Sequence, residues 1–84
     1  MTDRLTLRIL TPVGTAFSGT VDAVFVPGSA GAFEVLPGHA PIISSLERGR
    51  ITWRQDGKEA SIAVRGGAMM LENDTVTVCV QQES

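Results

Sequence analysis

The chain has 84 residues, 43% of them hydrophobic and 19% charged, which suits one hydrophobic core and excludes a disordered chain. We therefore predict a single domain over residues 1–84. Its formal net charge of −2, without a block of like charges, argues against nucleic-acid binding, because that activity needs a basic surface.

The N-terminal half of the sequence predicts short strands separated by turns. Apolar residues alternate with polar ones over residues 5–10, the period of a half-buried strand. Residues 11–14 break this pattern, and a second run, residues 20–26, is rich in valine and ends at a Pro-Gly pair. Glycines and prolines constrain the backbone of residues 28–41, so we expect a structured loop there with one short strand over residues 33–36.

A β-hairpin is predicted at Asp56-Gly57, a pair that suits a type I′ turn because both central residues take positive φ. A two-residue turn fixes the register of the strands on either side. It sets Trp53 opposite Ala60, Ile51 opposite Ile62, and Arg54 opposite Glu59.

A second hairpin is predicted at Asn73-Asp74, and Gly66-Gly67 is expected to turn the corner between the two hairpins. The register of the Asn73-Asp74 hairpin sets Leu71 opposite Val76 and Met69 opposite Val78 on a shared apolar face. Only residues 42–48 could form as much as a helical turn. The sequence therefore predicts an all-β fold, a small two-sheet β-sandwich of about seven to ten short strands.

Several single residues have an ordinary structural interpretation. Cys79, the only cysteine, excludes an intrachain disulfide and a cysteine-based zinc site, and we expect it to be inert. Met69 and Met70 are expected to pack, one on each face of a strand. Trp53 could fill the core or cover a docking surface. No apolar run is long enough to cross a membrane, so we expect no direct membrane insertion.

The candidates for chemistry are weak. His39, the only histidine, lies in a loop, but a catalytic base needs a nucleophile or an orienting carboxylate, and Glu34 and Glu47 stand at no recognised spacing from it. We favour a structural or interface role for His39. The segment 28–31 lacks the lysine of a phosphate-binding loop, and Gly66-Gly67 opens no helix. We expect no nucleotide binding, no cofactor and no metal.

The run from Val26 to Pro41, VPGSAGAFEVLPGHAP, resembles the signature stretch of ATP synthase epsilon subunits. Its most specific part is Leu-Pro-Gly-His-Ala-Pro. The similarity covers nearly the whole chain and continues through Leu10-Thr11-Pro12, Phe17-Ser18-Gly19, Arg48-Gly49, Ala63 to Gly67, and Asn73 to Val78.

This resemblance implies a non-catalytic rotor part of an F-type ATP synthase, bound to the gamma subunit and touching the c-ring. It implies a peripheral location on the cytoplasmic face of the bacterial plasma membrane. Because Pro37, Gly38 and Pro41 restrict the turn around His39, we expect His39, together with Thr11, at or beside the gamma contact.

The resemblance also implies a c-ring-facing loop, which corresponds to Gly31, Ala32 and Glu34, with Phe33 turned inward as core. Here the sequence departs from the family pattern, because the common Gly-Glu-Phe-Gly order is replaced by Gly31-Ala32-Phe33-Glu34. The carboxylate has moved by two positions, which keeps it on the same face of a strand but displaces it by roughly 6 to 7 Å. The c-ring contact is therefore expected to differ in detail.

A second departure is length, since epsilon subunits usually continue into a helical hairpin that brakes ATP hydrolysis and in some relatives binds ATP. We expect neither role here. The polar ending, residues 81–84, suits a free terminus, so we expect a naturally short subunit.

Two rival functions stay open. The first is a free-standing β-sandwich adaptor that binds some other protein. The second is a small hydrolase that uses His39 with Glu34 or Glu47, which would need a pocket beside the imidazole.

Overall fold

The computed structural model describes residues 4–83, and strands are the only regular secondary structure in this part of the chain. No helix in it is long and apolar enough to cross a membrane. The eight strands, in chain order, are β1 Leu5–Thr11, β2 Gly14–Val21, β3 Ala23–Val26, β4 Phe33–Val35, β5 Ile42–Leu46, β6 Gly49–Gln55, β7 Lys58–Glu72 and β8 Thr75–Gln82.

The long strand β7 belongs to two layers. Its second half pairs with β8 on one side and β5 on the other, and β8 continues to β1 and β2. We call this layer the front sheet. The first half of β7 pairs with β6, which continues to β3 and β4, and we call this layer the back sheet. The fold is therefore the two-sheet β-sandwich that the sequence predicts.

The core lies between the two sheets and contains apolar side chains alone among the buried residues of the described range. Every second residue of each strand points inward, which explains the alternation in the sequence. Fully buried members include Leu5, Leu7, Ile9, Met69, Leu71, Val76 and Val78 of the front sheet and Val24, Val35 and Ile51 of the back sheet. Trp53 is also core, where the centre of its ring lies 4.6 Å from that of Phe17 with the two rings tilted by 39°.

Both predicted hairpins are confirmed with the predicted registers. Asp56 and Gly57 have φ of 52° and 81°, and Asn73 and Asp74 have φ of 50° and 60°. These are the left-handed conformations of a type I′ turn. Local turn chemistry therefore determines where the chain reverses in its C-terminal half.

Two elements differ from the interpretation of the sequence, and one expected corner is found. The run over residues 20–26 is not one strand, because β2 begins at Gly14 and a bend at Asp22 separates it from β3. Residues 42–46 form strand β5 and not a helical turn, since β7 offers an edge for them to pair with. Gly66 and Gly67 lie at the corner between the two hairpins, as expected, and β7 continues through it with a register shift between Val64 and Gly66.

The two ends of the sandwich carry different loops. One end, which we call the His39 end, contains the Asp56-Gly57 turn, the Asn73-Asp74 turn and the turn of residues 36–39. The opposite end, the Thr11 end, contains the turn of residues 11–14 and the loop of residues 28–32. The candidate site residues are thus divided between two ends of the molecule.

An ion-pair clasp closes the His39 end. The Arg4 guanidinium donates to Asp22 Oδ1 at 2.9 Å and lies 3.2 Å from Asp56 Oδ1, and the Asp56 amide donates to Asp22 Oδ2 at 3.0 Å. Asp22 therefore connects the start of β1 to the β6–β7 turn. About one third of each partner's side chain in the Arg4–Asp22 pair is exposed, at 33% and 38%.

Replacing Asp22 by alanine is expected to lower the free energy of unfolding by about 1 kcal/mol, because it removes one ion pair and one amide acceptor at a half-exposed position. Denaturant unfolding of the wild-type chain and the variant measures this difference. The matched control is Glu47→Ala, which removes an exposed carboxylate outside the clasp and should change stability by less than about 0.5 kcal/mol. Equal effects of the two substitutions would show that the clasp adds no stability.

Candidate interaction site

The turn that carries His39 is held by two backbone hydrogen bonds. The His39 amide donates to Leu36 O at 3.3 Å, and the Gly38 amide donates to Asp74 Oδ1 at 2.8 Å. The second bond ties this turn to the β7–β8 hairpin. The imidazole is exposed, and its Nδ1 lies 2.7 Å from the oxygen of Ala40. Because Nδ1 is engaged, Nε2 is the ring nitrogen available to a partner.

Neither carboxylate of the rival hydrolase hypothesis contacts the imidazole, whose hydrogen bond goes to the main chain of Ala40. Glu34 extends from β4 on the outer surface of the back sheet, where it is paired with Phe25 of β3. Glu47 follows β5 at the Thr11 end, about 16 Å along that strand from its start. The geometry does not assemble an acid–base pair at His39.

Thr11 lies far from His39. It closes the turn between β1 and β2, where its Oγ1 donates to Gly14 O at 2.9 Å and accepts from the Val13 amide at 3.3 Å. Within β1, Thr6 donates its amide to Asp74 O near the His39 end, and Thr11 lies about 16 Å further along the strand. A single small contact cannot include both residues, and a shared partner would have to extend along the sheet.

The loop of residues 28–32 is fixed to the end of β5. The Ser29 amide donates to Ser45 O at 2.9 Å, and the Gly31 amide donates to Gly28 O at 2.9 Å. Gly31 and Ala32 are exposed at the tip, and Phe33 packs against the core as expected. The loop therefore presents a preorganised, weakly polar surface at the Thr11 end.

An exposed apolar area on the front sheet was not predicted. Ile43 of β5 is 84% exposed, and its cross-strand partner Met70 is 47% exposed. Ala68 and Cys79 form the neighbouring pair, and Leu10 lies next to Cys79. We call these five residues, Leu10, Ile43, Ala68, Met70 and Cys79, the front patch. The sequence signal was the pair Ile42-Ile43, whose second member must face outward once the segment is a strand.

The front patch connects the two ends of the sandwich. Ile43 is close in sequence to Pro41 and the His39 turn, whereas Leu10 precedes Thr11. The two residues predicted for one contact thus lie at opposite borders of the same sheet face. Within residues 4–83, no group of three or more His, Cys, Asp or Glu residues gathers as a metal site would require.

The family described as "ATP synthase, Delta/Epsilon chain, beta-sandwich domain" matches residues 4–83. The chain belongs to this family. The motif from Val26 to Pro41, with the glycine and proline turns around it, therefore marks family membership as well as backbone geometry.

Curated relatives are named ATP synthase epsilon chains. The chain is 41% identical over 81 residues to that of Citrifermentans bemidjiense, which covers 96% of this chain and 59% of the relative. It is 41% identical over 76 residues to that of Synechococcus sp., with 90% and 56% covered. The chain thus spans less than two thirds of the length of these relatives.

Solved structures share the fold at low sequence identity. A chain of the Euglena gracilis mitochondrial ATP synthase, described as OSCP/F1/c-ring, superposes with a TM-score of 0.89 at 18% identity and covers 95% of this chain and 52% of that one. A chain of the Tetrahymena thermophila mitochondrial ATP synthase central stalk/c-ring gives 0.78 at 11% identity, with 93% and 63% covered. At these identities the likeness concerns the fold alone.

Proposed function

We propose that this chain is a non-catalytic rotor subunit of an F-type ATP synthase that links the gamma subunit to the c-ring. The observation that carries the proposal is the family match over residues 4–83, since it includes every strand of the sandwich. As a peripheral subunit it would lie on the cytoplasmic face of a bacterial plasma membrane and take part in coupling ATP synthesis to ion flow. It would perform no hydrolysis itself.

The distribution of exposed features suits a linking role. The loop tip with Gly31 and Ala32 lies at the Thr11 end, whereas His39 lies at the other end and the front patch covers one sheet face. Two partners could therefore contact the sandwich at once without competing for the same residues. We assign the c-ring to the loop of residues 28–32 together with Glu34.

We assign the gamma subunit to the front patch, with His39 and Thr11 at its two borders. Exposed apolar side chains that touch across two strands, such as Ile43 and Met70, gain free energy when a partner removes them from water. The rigid turns at either border lose little conformational entropy when they are bound. A contact of this kind extends along the whole sheet and so includes both Thr11 and His39.

The proposal is tested by mixing the chain with the gamma subunit and measuring binding by calorimetry. Saturable one-to-one binding supports the rotor assignment. A chain that does not bind gamma, but is captured by an unrelated protein, would favour the free-standing adaptor instead.

We also predict no measurable ATP binding by this chain, which the same instrument tests, because no phosphate-binding loop occurs in its sequence.

The His39→Ala variant separates an interface role from a structural one. The ring is exposed and bonds to its own neighbouring carbonyl, so its loss should move the melting temperature by less than about 2 °C. Binding to gamma should weaken by about five- to tenfold, typical of an interface side chain of moderate importance. Unchanged affinity together with a lower melting temperature would contradict the interface assignment.

A further inference from the structure

Arg8 is a cation on the front sheet without a carboxylate partner in the described part of the chain. It lies in the middle of β1 with its side chain exposed on the outer face. The ion pairs of residues 4–83 involve Arg4, Arg48, Arg54 and Arg65 and leave Arg8 out. The strand registers set it in one row with Ile43, Met70, Thr77 and Ser18.

The surroundings of Arg8 on this face are almost free of charge. Thr77 separates it from Met70, so the Cα atoms of Arg8 and Met70 are two strand spacings apart, about 10 Å. The other charged residue among the outward positions of the front-sheet strands is Glu72, about 12 Å away near the His39 end. Arg8 is thus a single positive charge beside the front patch.

A partner that docks on the front patch must also cover Arg8. A standard protein interface buries about 800 Å² on each side, which corresponds to a patch roughly 30 Å across. The front sheet has five strands spaced about 4.8 Å apart, so it is narrower than such a patch. An interface centred on Met70 therefore extends over Arg8.

Covering a guanidinium without compensation is unfavourable, because it removes the charge from water and offers no acceptor in return. An anion of the partner at this position compensates for the lost water most strongly. A carboxylate suits the guanidinium best, because two parallel N–H groups can donate to its two oxygens.

On the basis of the proposed function, we infer that Arg8 pairs with a carboxylate of the gamma subunit when the front patch docks. The occupant of this surface is therefore a protein face that combines apolar side chains with one Asp or Glu, placed about 10 Å from the groups that cover Met70. This charge pair fixes the register of the docked partner, whereas the apolar contacts alone would allow it to slide along the sheet.

The test compares Arg8→Gln and Arg8→Glu with the wild-type chain for gamma binding by calorimetry at two salt concentrations. At low salt we expect affinity to fall about fivefold for Arg8→Gln and at least fiftyfold for Arg8→Glu, because the latter sets two carboxylates against each other. Raising the salt should reduce the difference between the two variants.

Arg50→Glu is the matched control, since it reverses a charge on the outer face of the back sheet, where Arg50 donates to Ser61 Oγ. It should leave gamma affinity within about twofold of wild type. All three variants should melt near the wild-type temperature, because the substituted side chains are exposed.

The outcomes separate this inference from the proposed function. If the wild-type chain binds gamma and both Arg8 variants bind it with the wild-type affinity, the inferred charge pair is wrong and the proposed rotor role is unaffected. If Arg8→Gln binds gamma more tightly than the wild-type chain does, the Arg8 guanidinium weakens the complex, and the inference is overturned. If wild type does not bind gamma at all, both proposals fail.

Discussion

Replacing Gly67 by alanine is expected to lower the free energy of unfolding by about 3 to 5 kcal/mol, a large share of the stability of a domain of this size. Gly67 has φ of 151°, a backbone conformation that residues with a Cβ adopt only with strain. An added Cβ would lie 2.1 Å from the oxygen of Cys79 and 2.8 Å from the Cα of Val80. Both are backbone atoms, so no side-chain rotation can relieve the overlap.

Strand β8, which carries these backbone atoms, cannot easily move away. It pairs with β7 on one side and β1 on the other, and Val76, Val78 and Val80 fix it in the core. A shift of β8 would therefore break hydrogen bonds on both sides or open a cavity. The crossing of β7 from one sheet to the other therefore requires a residue without a Cβ atom at position 67.

Denaturant unfolding measures the effect, with Gly57→Ala as the matched control. Gly57 also has a positive φ, 81°, but an added Cβ there meets nothing within 4 Å. The control should therefore lose only about 1 to 2 kcal/mol, the cost of the left-handed conformation. If Gly67→Ala is no less stable than Gly57→Ala, the sheet accommodates the side chain and the close approach is not a constraint.

The parts of the fold that the sequence predicts correctly depend on local chemistry. Asp56-Gly57 and Asn73-Asp74 are residue pairs that favour left-handed backbone conformations, which both adopt here, and a two-residue turn fixes the register beside it. The alternation over residues 5–10 likewise identifies a strand with one buried face. None of these inferences needs knowledge of a distant part of the chain.

The elements that the sequence predicts incorrectly depend on distant partners. Residues 42–46 contain two serines between apolar residues, and they become a strand because β7 offers them an unpaired edge. The bend at Asp22 follows from its bonds to Arg4 and the Asp56 amide, which are 18 and 34 residues away. Such pairings are set by tertiary structure, and a local pattern cannot show them.

In the candidate site, too, the features set by local chemistry can be predicted from the sequence, and those set by distant partners cannot. The constrained turn around His39 can be recognised from Pro37, Gly38 and Pro41, and the structure adds the bond from Gly38 to Asp74. The front patch could not be recognised, because Ile43 is exposed only if β5 lies at the edge of the front sheet. The distance between Thr11 and His39 likewise follows from the length of β1 between two turns.

Ile43→Asp is expected to weaken binding to the gamma subunit by about a hundredfold. Ile43 is 84% exposed, so the isolated chain buries little of it and should keep its melting temperature. In the complex the substitution removes apolar area from the interface. It also adds a carboxylate that is buried there without a cation to pair with.

The matched control is Ser61→Asp, which adds the same carboxylate to an exposed strand position on the back sheet. Calorimetry with gamma should give wild-type affinity for Ser61→Asp and a loss equivalent to about 2.7 kcal/mol for Ile43→Asp. Met70→Glu should behave like Ile43→Asp, because the two side chains are cross-strand partners. If the back-sheet variant loses affinity and both front-patch variants keep it, gamma binds the opposite face of the sandwich, and the exposed pair Ile43 and Met70 serves another contact.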